Sequence, residues 1–333
     1  MPELAPELWI FLPLVIAAGI DLYLTLLVLG AAPTLPWWDH PLPGSLGDLD
    51  ATSIVVVIGL TYALEFLAER RPASALIWNA LHALIRPVSG ALLAALLLHG
   101  QSLSVVVAGA LLGGLFTSLS HAVRSGSALL RWLDPALGPH PLLVSLLEDA
   151  AVVALVVLSL DQPHVAFGAA AALLLIGIPF APTRVRAFVF ATRLASARAF
   201  QSFRQRVWTP SDGLPGWVRR SLRDDSMAPE GGPRGARAGI LRMPDLPRFA
   251  TGWVVVRGGQ PTFVHGLPGR RGPALELGAL TLVDVVEEEF YRRVDLRDEE
   301  GRALRMFFFV NGPSAAALAA EFGGRGPRAE KNL

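Results

Sequence analysis

The chain has 333 residues, 52% hydrophobic and 17% charged, with a formal net charge of +1 and no cysteine. Soluble domains average roughly 25% charged residues, so this composition and the mean hydropathy of +0.46 exclude an ordinary soluble enzyme and point to a membrane protein. The missing cysteine excludes disulfides and thiolate-based metal or redox sites.

The first residues carry Glu3 and Glu7 but no Lys or Arg, and the apolar run from Trp9 to Ala32 is long for a signal peptide. It is read as a retained span. Crossing the hydrocarbon core takes about 20 apolar residues in a helix. Six stretches approach that length, near 9–32, 51–68, 88–99, 102–120, 141–160 and 164–181. The third is short. It is expected to continue a helix running from Ser74 to Ile85, beyond a break at Arg86-Pro87, because proline lacks the amide hydrogen and disfavours helix in the residue before it.

Arginine sets the orientation. With the N-terminus inside, Arg70, Arg71, Arg124, Arg131, Arg184 and Arg186 fall on the cytoplasmic side. Asp39, Asp48, Asp50 and Asp161 fall outside, with no arginine among them, and Trp37 and Trp38 lie at the outer interface. This is the positive-inside pattern with an aromatic belt. It predicts an inner-membrane protein with its N-terminus and C-terminal region in the cytoplasm.

The chain then divides into five parts. Residues 1–182 form the transmembrane domain. Residues 183–207 form a basic helix that either lies on the anionic leaflet or extends the last span. Residues 208–238 are rich in Gly, Pro and charge and read as a linker. Residues 239–322 turn to period-two alternation in "GWVVVRG", "PTFVHG", "PALELG", "LTLVDVV", "FYRRVDL" and "RALRMFFFV", all strand candidates. Within them "RDEEGR" is a hairpin turn with Gly301 available for positive φ. "PSAAALAAEF" is a closing helix with Pro313 near its first turn. Strands followed by one helix resemble a pleckstrin-homology-like barrel, with another small barrel or sandwich as the alternative. Residues 323–333 are a disordered tail.

Ionisable groups inside apolar spans are costly, about 2.5–3.5 kcal/mol for a carboxylate at the bilayer centre, so they face inward and pair. Asn79, His82 and Arg86 share one helical stripe at i, i+3 and i+7. Asp21 falls midway along the first span. His121 and Arg124 close the fourth, and Glu148 and Asp149 lie about two turns into the fifth. Arg86 and Arg124 are natural partners for Glu65 and Glu148. The candidate cavity set is Asp21, Glu65, Arg70, Asn79, His82, Arg86, His121, Arg124, Glu148 and Asp149. It lines a polar cavity or only locks the bundle. No HExxH-like spacing supports a metal site, and no cofactor is indicated. Gly109 and Gly113 form a GxxxG that serves internal packing or a second copy equally well. Similar polar openings in the first and fourth spans suggest two inverted three-span repeats.

Two separated blocks resemble the DUF4126 bacterial membrane proteins. The first is Glu65, Glu69-Arg70, Pro72, Trp78, Ile85-Arg86-Pro87 and Gly90. The second is Ser120-His121, Arg124, Ser145 and Glu148-Asp149. The resemblance covers about residues 10–180. It implies a multi-span membrane protein and supplies no substrate. In the family pattern Asp is common at the positions of Ala75 and Asn79, and Lys at those of Arg70 and Arg124, so a cation site built on those acids is incomplete here.

The expected architecture is an α-helical membrane bundle of about six spans, with a broken helix, plus a small C-terminal β-rich domain. Transport of a small polar or ionic solute is the leading expectation. A non-transporting anchor that presents the β-rich domain to a protein or lipid partner is the alternative. An intramembrane enzyme using His121 as base with Glu148 or Asp149 lacks an evident nucleophile. Membrane lipids are expected partners. Nucleic acid is not, because the arginines follow the membrane side rather than an exposed face.

Overall fold

The structure is a computed structural model. It describes residues 6–36, 38, 42–134, 140–199, 208–222, 232–241, 243, 246, 249–257, 259–266, 274–277 and 280–323. Trp37, Asp39, residues 200–207 of the expected basic helix and the expected tail 324–333 lie outside the described residues. Two compact units are present, residues 1–192 and 193–333.

The first unit contains α1 (Pro6–Ile20), α2 (Leu22–Ala31), α3 (Thr52–Glu69), α4 (Pro72–Leu97), α5 (Leu103–Leu133), α6 (Pro141–Asp161) and α7 (Pro163–Gly177). α8 (Ala181–Ala199) follows α7 through a single 3-10 turn. Proline stands at the start of α4, α6 and α7, where a missing amide hydrogen costs nothing and the fixed φ suits the helix. Among the described residues five helical segments are long and apolar enough to cross a membrane: Thr52–Glu69, Ala73–Leu97, Leu103–Leu133, Leu142–Asp161 and Pro163–Ala199. The first expected span is instead two short helices, α1 and α2. α5 runs on past the expected end of its span at residue 120, and its 31 residues exceed what the hydrocarbon core requires.

The break in the bundle differs from the expectation. α4 continues through Pro87 without interruption, so the predicted break at Arg86-Pro87 is absent. The interruption falls at Asp21, which is extended (φ −139°, ψ 109°) between α1 and α2. Tertiary packing explains why α4 survives its proline. A Cβ added to Gly114 would come within 2.8 Å of the Pro87 carbonyl oxygen, and one on Gly113 within 2.6 Å of the Ala94 Cβ. α4 and α5 are pressed together along these small residues, and such packing overrides intrinsic propensity. The Gly109/Gly113 face is therefore taken up inside the fold: Gly113 sits on α4 and Gly109 meets Leu98. The two halves that an inverted repeat would relate also differ, since α1–α2 is broken and α5 is continuous.

The second unit is a seven-stranded antiparallel sheet in the order β4-β3-β2-β1-β7-β6-β5. The strands are β1 (Arg234–Ile240), β2 (Ala250–Arg257), β3 (Gln260–His265), β4 (Ala274–Glu276), β5 (Thr281–Glu287), β6 (Tyr291–Arg297) and β7 (Ala303–Phe309). β2 to β7 are the six expected strands. β1 is not: all but its last two residues lie in the stretch read as linker. α9 (Gly216–Ser221) also lies there, with Leu214, Val218 and partly buried Trp217 packed on Trp253, Val255 and Val264 of the sheet. Residues 208–238 are thus in part a folded portion of the β unit. The sheet is open, with β4 and β5 as edges. β5 shifts register against β6 between Leu282 and Asp284. Gly301 turns the last hairpin at φ 79°. α10 (Ala315–Glu321) is capped by the Ser314 hydroxyl, which accepts from Ala317 N at 3.2 Å, and it packs Ala315, Leu318 and Ala319 into the core formed with Val285, Val294 and Phe308. The Arg292 guanidinium is fully buried. It donates to Glu287 Oε1 at 2.7 Å and to the carbonyls of Val310 and Pro313 at 2.9 Å each, pinning the turn that leads into α10.

Candidate functional site

The site begins with the broken helix. One extended residue interrupts the i to i+4 ladder, so the last carbonyls of α1 and the first amides of α2 need other partners. Asp21 supplies one: its Oδ1 accepts from Leu24 N at 2.9 Å, the position of an N-cap. Thr25 closes the same turn by donating its hydroxyl to the Asp21 carbonyl at 2.6 Å. Arg86 of α4 supplies another, donating through Nη1 to the Ala18 carbonyl. The cation thus sits at the negative end of the α1 dipole.

Arg86 is wholly buried and Glu65 is 2% exposed. They pair at 3.0 Å, Nη2 to Oε1. Glu65 Oε1 lies 4.0 Å from Arg124 Nη1. Arg124 in turn grips Glu69 bidentately at 2.7 Å on both arms and donates through Nε to Glu148 Oε2 at 2.8 Å. Both pairs expected from the sequence, Arg86 with Glu65 and Arg124 with Glu148, are formed. One chain of charge therefore runs from the break in α1–α2, through Glu65, to Arg124 and its two glutamates. Two atoms within it, Glu65 Oε2 and Arg86 Nε, are buried with no hydrogen-bond partner.

The histidines lie beside this chain rather than in it. His82 Nδ1 bonds the Trp78 carbonyl at 2.9 Å and Nε2 meets the Tyr23 hydroxyl at 3.0 Å. Hence Nδ1 carries the proton and Tyr23 donates to Nε2. His121 Nε2 reaches the Asn79 carbonyl at 3.3 Å, and Ser125 donates to Asn79 Oδ1 at 3.0 Å. Asp149 accepts from Tyr62 at 3.1 Å. Among the described residues no group of three His, Cys, Asp or Glu side chains is placed to hold a metal.

A pocket of about 430 Å³ opens where α3, α4, α5 and α6 meet, within the size range of small-molecule sites. Of the ten expected residues it is lined by Arg70, Asn79, Arg124 and Glu148. Asp21, Glu65, His82, Arg86, His121 and Asp149 do not line it. The expected set therefore divides into residues that line the opening and residues set back from it, joined at Arg124. Residues the sequence reading left out also line the pocket, chiefly Glu69, Ser125, Arg131 and His140. For Glu69 a signal existed: Tyr62, Glu65 and Glu69 stand at i, i+3 and i+7 of one helix, and so share a face.

The family model described as "Domain of unknown function (DUF4126)" matches residues 8–182, more than half of the chain and nearly all of the helical unit. No match was found among curated proteins or among solved structures.

Proposed function

The chain belongs to the DUF4126 family, and on that footing we propose that its helical unit is a transporter or channel-like protein for a small polar or ionic solute. The observation that carries this is the interrupted α1–α2 helix, held by Asp21 and Arg86 and wired through Glu65 to the Arg124 pocket. Broken helices at membrane depth are tolerated only where protein or a wet cavity satisfies the backbone, and in transporters the half-helix ends mark the solute path. In this reading Arg124, Glu69 and Glu148 form a charged gate between the pocket and the buried Glu65–Arg86 pair. The positive-inside rule puts the pocket on the cytoplasmic side of an inner membrane.

The experiment is solute-driven swelling of proteoliposomes carrying the full chain, across a panel of small ions and polar solutes. Wild-type vesicles should swell faster than empty ones with at least one solute. Glu69→Gln and Glu148→Gln should change that rate, because each removes a partner of Arg124. No difference between wild-type and empty vesicles would remove the transport reading. It would favour the anchor, which the separate compactness of the β unit supports. Removal of residues 209–333 would then be expected to abolish function.

A further inference from the structure

We propose that the pocket between α3, α4, α5 and α6 binds an oxyanion of the phosphate type. The inference follows from asking which lining groups still have hydrogen bonds to give. The acceptors are largely taken. Both Glu69 oxygens are held by Arg124, Glu148 Oε2 is held by Arg124, and Asn79 Oδ1 accepts from Ser125. The donors are not. Arg131 has one distant contact, 3.9 Å from Glu148 Oε1. The Arg70 guanidinium rests over the Phe66 ring, 4.3 Å from its centroid, which leaves its donor edges open. His140 Nδ1 accepts from Leu142 N at 3.3 Å, so its ring proton is on Nε2 and available.

Charge points the same way. Three guanidiniums, of Arg70, Arg124 and Arg131, face two carboxylates, of Glu69 and Glu148. The mouth of the pocket also carries the N-terminal end of α6, since His140 and Leu142 line it; the dipole of a 21-residue helix favours an anion there. Planar guanidinium forks match the oxygen pairs of phosphate, which makes such contacts short and strong.

This assignment names the solute class for the proposed path, and it rests on that reading only for what happens to the anion after it binds. A soluble phosphate compound and the headgroup of an anionic lipid present the same chemistry.

The test is calorimetric titration of inorganic phosphate into the full chain in nanodiscs of zwitterionic lipid. Saturable binding is expected. Arg131→Gln and Arg70→Gln should each weaken it by roughly tenfold, the contribution of one charge-assisted hydrogen bond. Glu148→Gln should tighten it severalfold, because it frees Arg131 and removes a negative charge from the wall. Unchanged thermal unfolding midpoints identify variants that remain folded, and Arg131→Lys, which keeps the charge, should recover part of the affinity. Absent binding in the wild type, or equal binding in wild type, Arg131→Gln and Glu148→Gln, would overturn the assignment. Repeating the titration in anionic nanodiscs separates the sources: competition marks a lipid headgroup, and no competition marks a soluble anion. Binding without flux would remove the transport reading alone, and flux without phosphate binding would remove this one alone.

Discussion

The Arg86–Glu65 pair makes a quantitative prediction, because its two members do unequal work. Glu65→Leu removes one partner of a buried ion pair and leaves Arg86 uncompensated, a loss of about 3–5 kcal/mol. Arg86→Met leaves Glu65 only its 4.0 Å contact with Arg124 and also removes the donor to the Ala18 carbonyl. An orphaned buried acceptor costs a further ~1–3 kcal/mol. Arg86→Met is therefore expected to be the more destabilising of the two. In the double variant Glu65→Leu/Arg86→Met no charge is stranded, and hydrophobic replacement of buried pairs is often neutral or better. Only the Ala18 carbonyl stays unmet, so the double variant should sit about 1–3 kcal/mol below wild type and above both single variants. Unfolding in mixed micelles with rising dodecyl sulfate, followed by the fluorescence of the eight tryptophans and by circular dichroism, gives the four free energies of the cycle. Additive losses, with the double variant the least stable of the set, would refute the claim that these side chains act as a buried pair and that Arg86 closes the end of α1.

Two further predictions concern packing and pH. A Cβ on Gly90 would collide with the Thr117 side chain and come within 2.7 Å of the Gly113 carbonyl oxygen, whereas nothing lies within 4 Å of one on Gly168. Gly90→Ala should therefore cost about 1–3 kcal/mol as overpacking, while Gly168→Ala should be neutral or stabilising by up to ~1 kcal/mol; the same unfolding assay checks the contrast in sign. In the β unit, burial and then the neighbouring Glu288 carboxylate raise the Tyr291 phenol above its ordinary pKa of 10.0. Its contribution to stability is fully present below that value. It is lost as pH rises through the raised folded-state value, because the unfolded chain ionises first. Unfolding midpoints of the β unit measured from neutral pH upward should fall above pH 10, and Tyr291→Phe should flatten the fall.

The sheet and the bundle differed in how openly the sequence announced them. β2 to β7 declare themselves by alternation of large side chains. β1, "RGARAGI", does not, because its place between β2 and β7 calls for small residues. A Cβ on Gly235 would already press on Leu214 Cδ2 at 2.8 Å, and Ala236 and Ala238 pair with Val254 and Gly252. A central strand made of glycine, alanine and arginine has the composition of a linker. The helix break was misplaced for a similar reason. Pro87 is a strong local signal, but it is outweighed by the close fit of α4 on α5, which appears only once Gly90, Gly113 and Gly114 are brought together in space. Asp21 drew notice as a buried charge, while its capping of Leu24 depends on the chain bending there. The pairing of Arg86 with Glu65 was legible because charges of opposite sign in apolar spans have few places to go. The bidentate grip of Arg124 on Glu69 was not, since it depends on the relative rotation of α3 and α5.

The open edges of the sheet matter for a protein confined to a surface. Neighbouring copies diffusing in two dimensions meet often, and an exposed ladder of amides and carbonyls invites one sheet to extend into the next. Here β4 is only three residues long. β5 breaks its own register between Leu282 and Asp284 and ends on Glu287. A bulge, a carboxylate and a truncated border leave an arriving strand little to copy. Replacing Asp284 and Glu287 with valine would remove part of that protection.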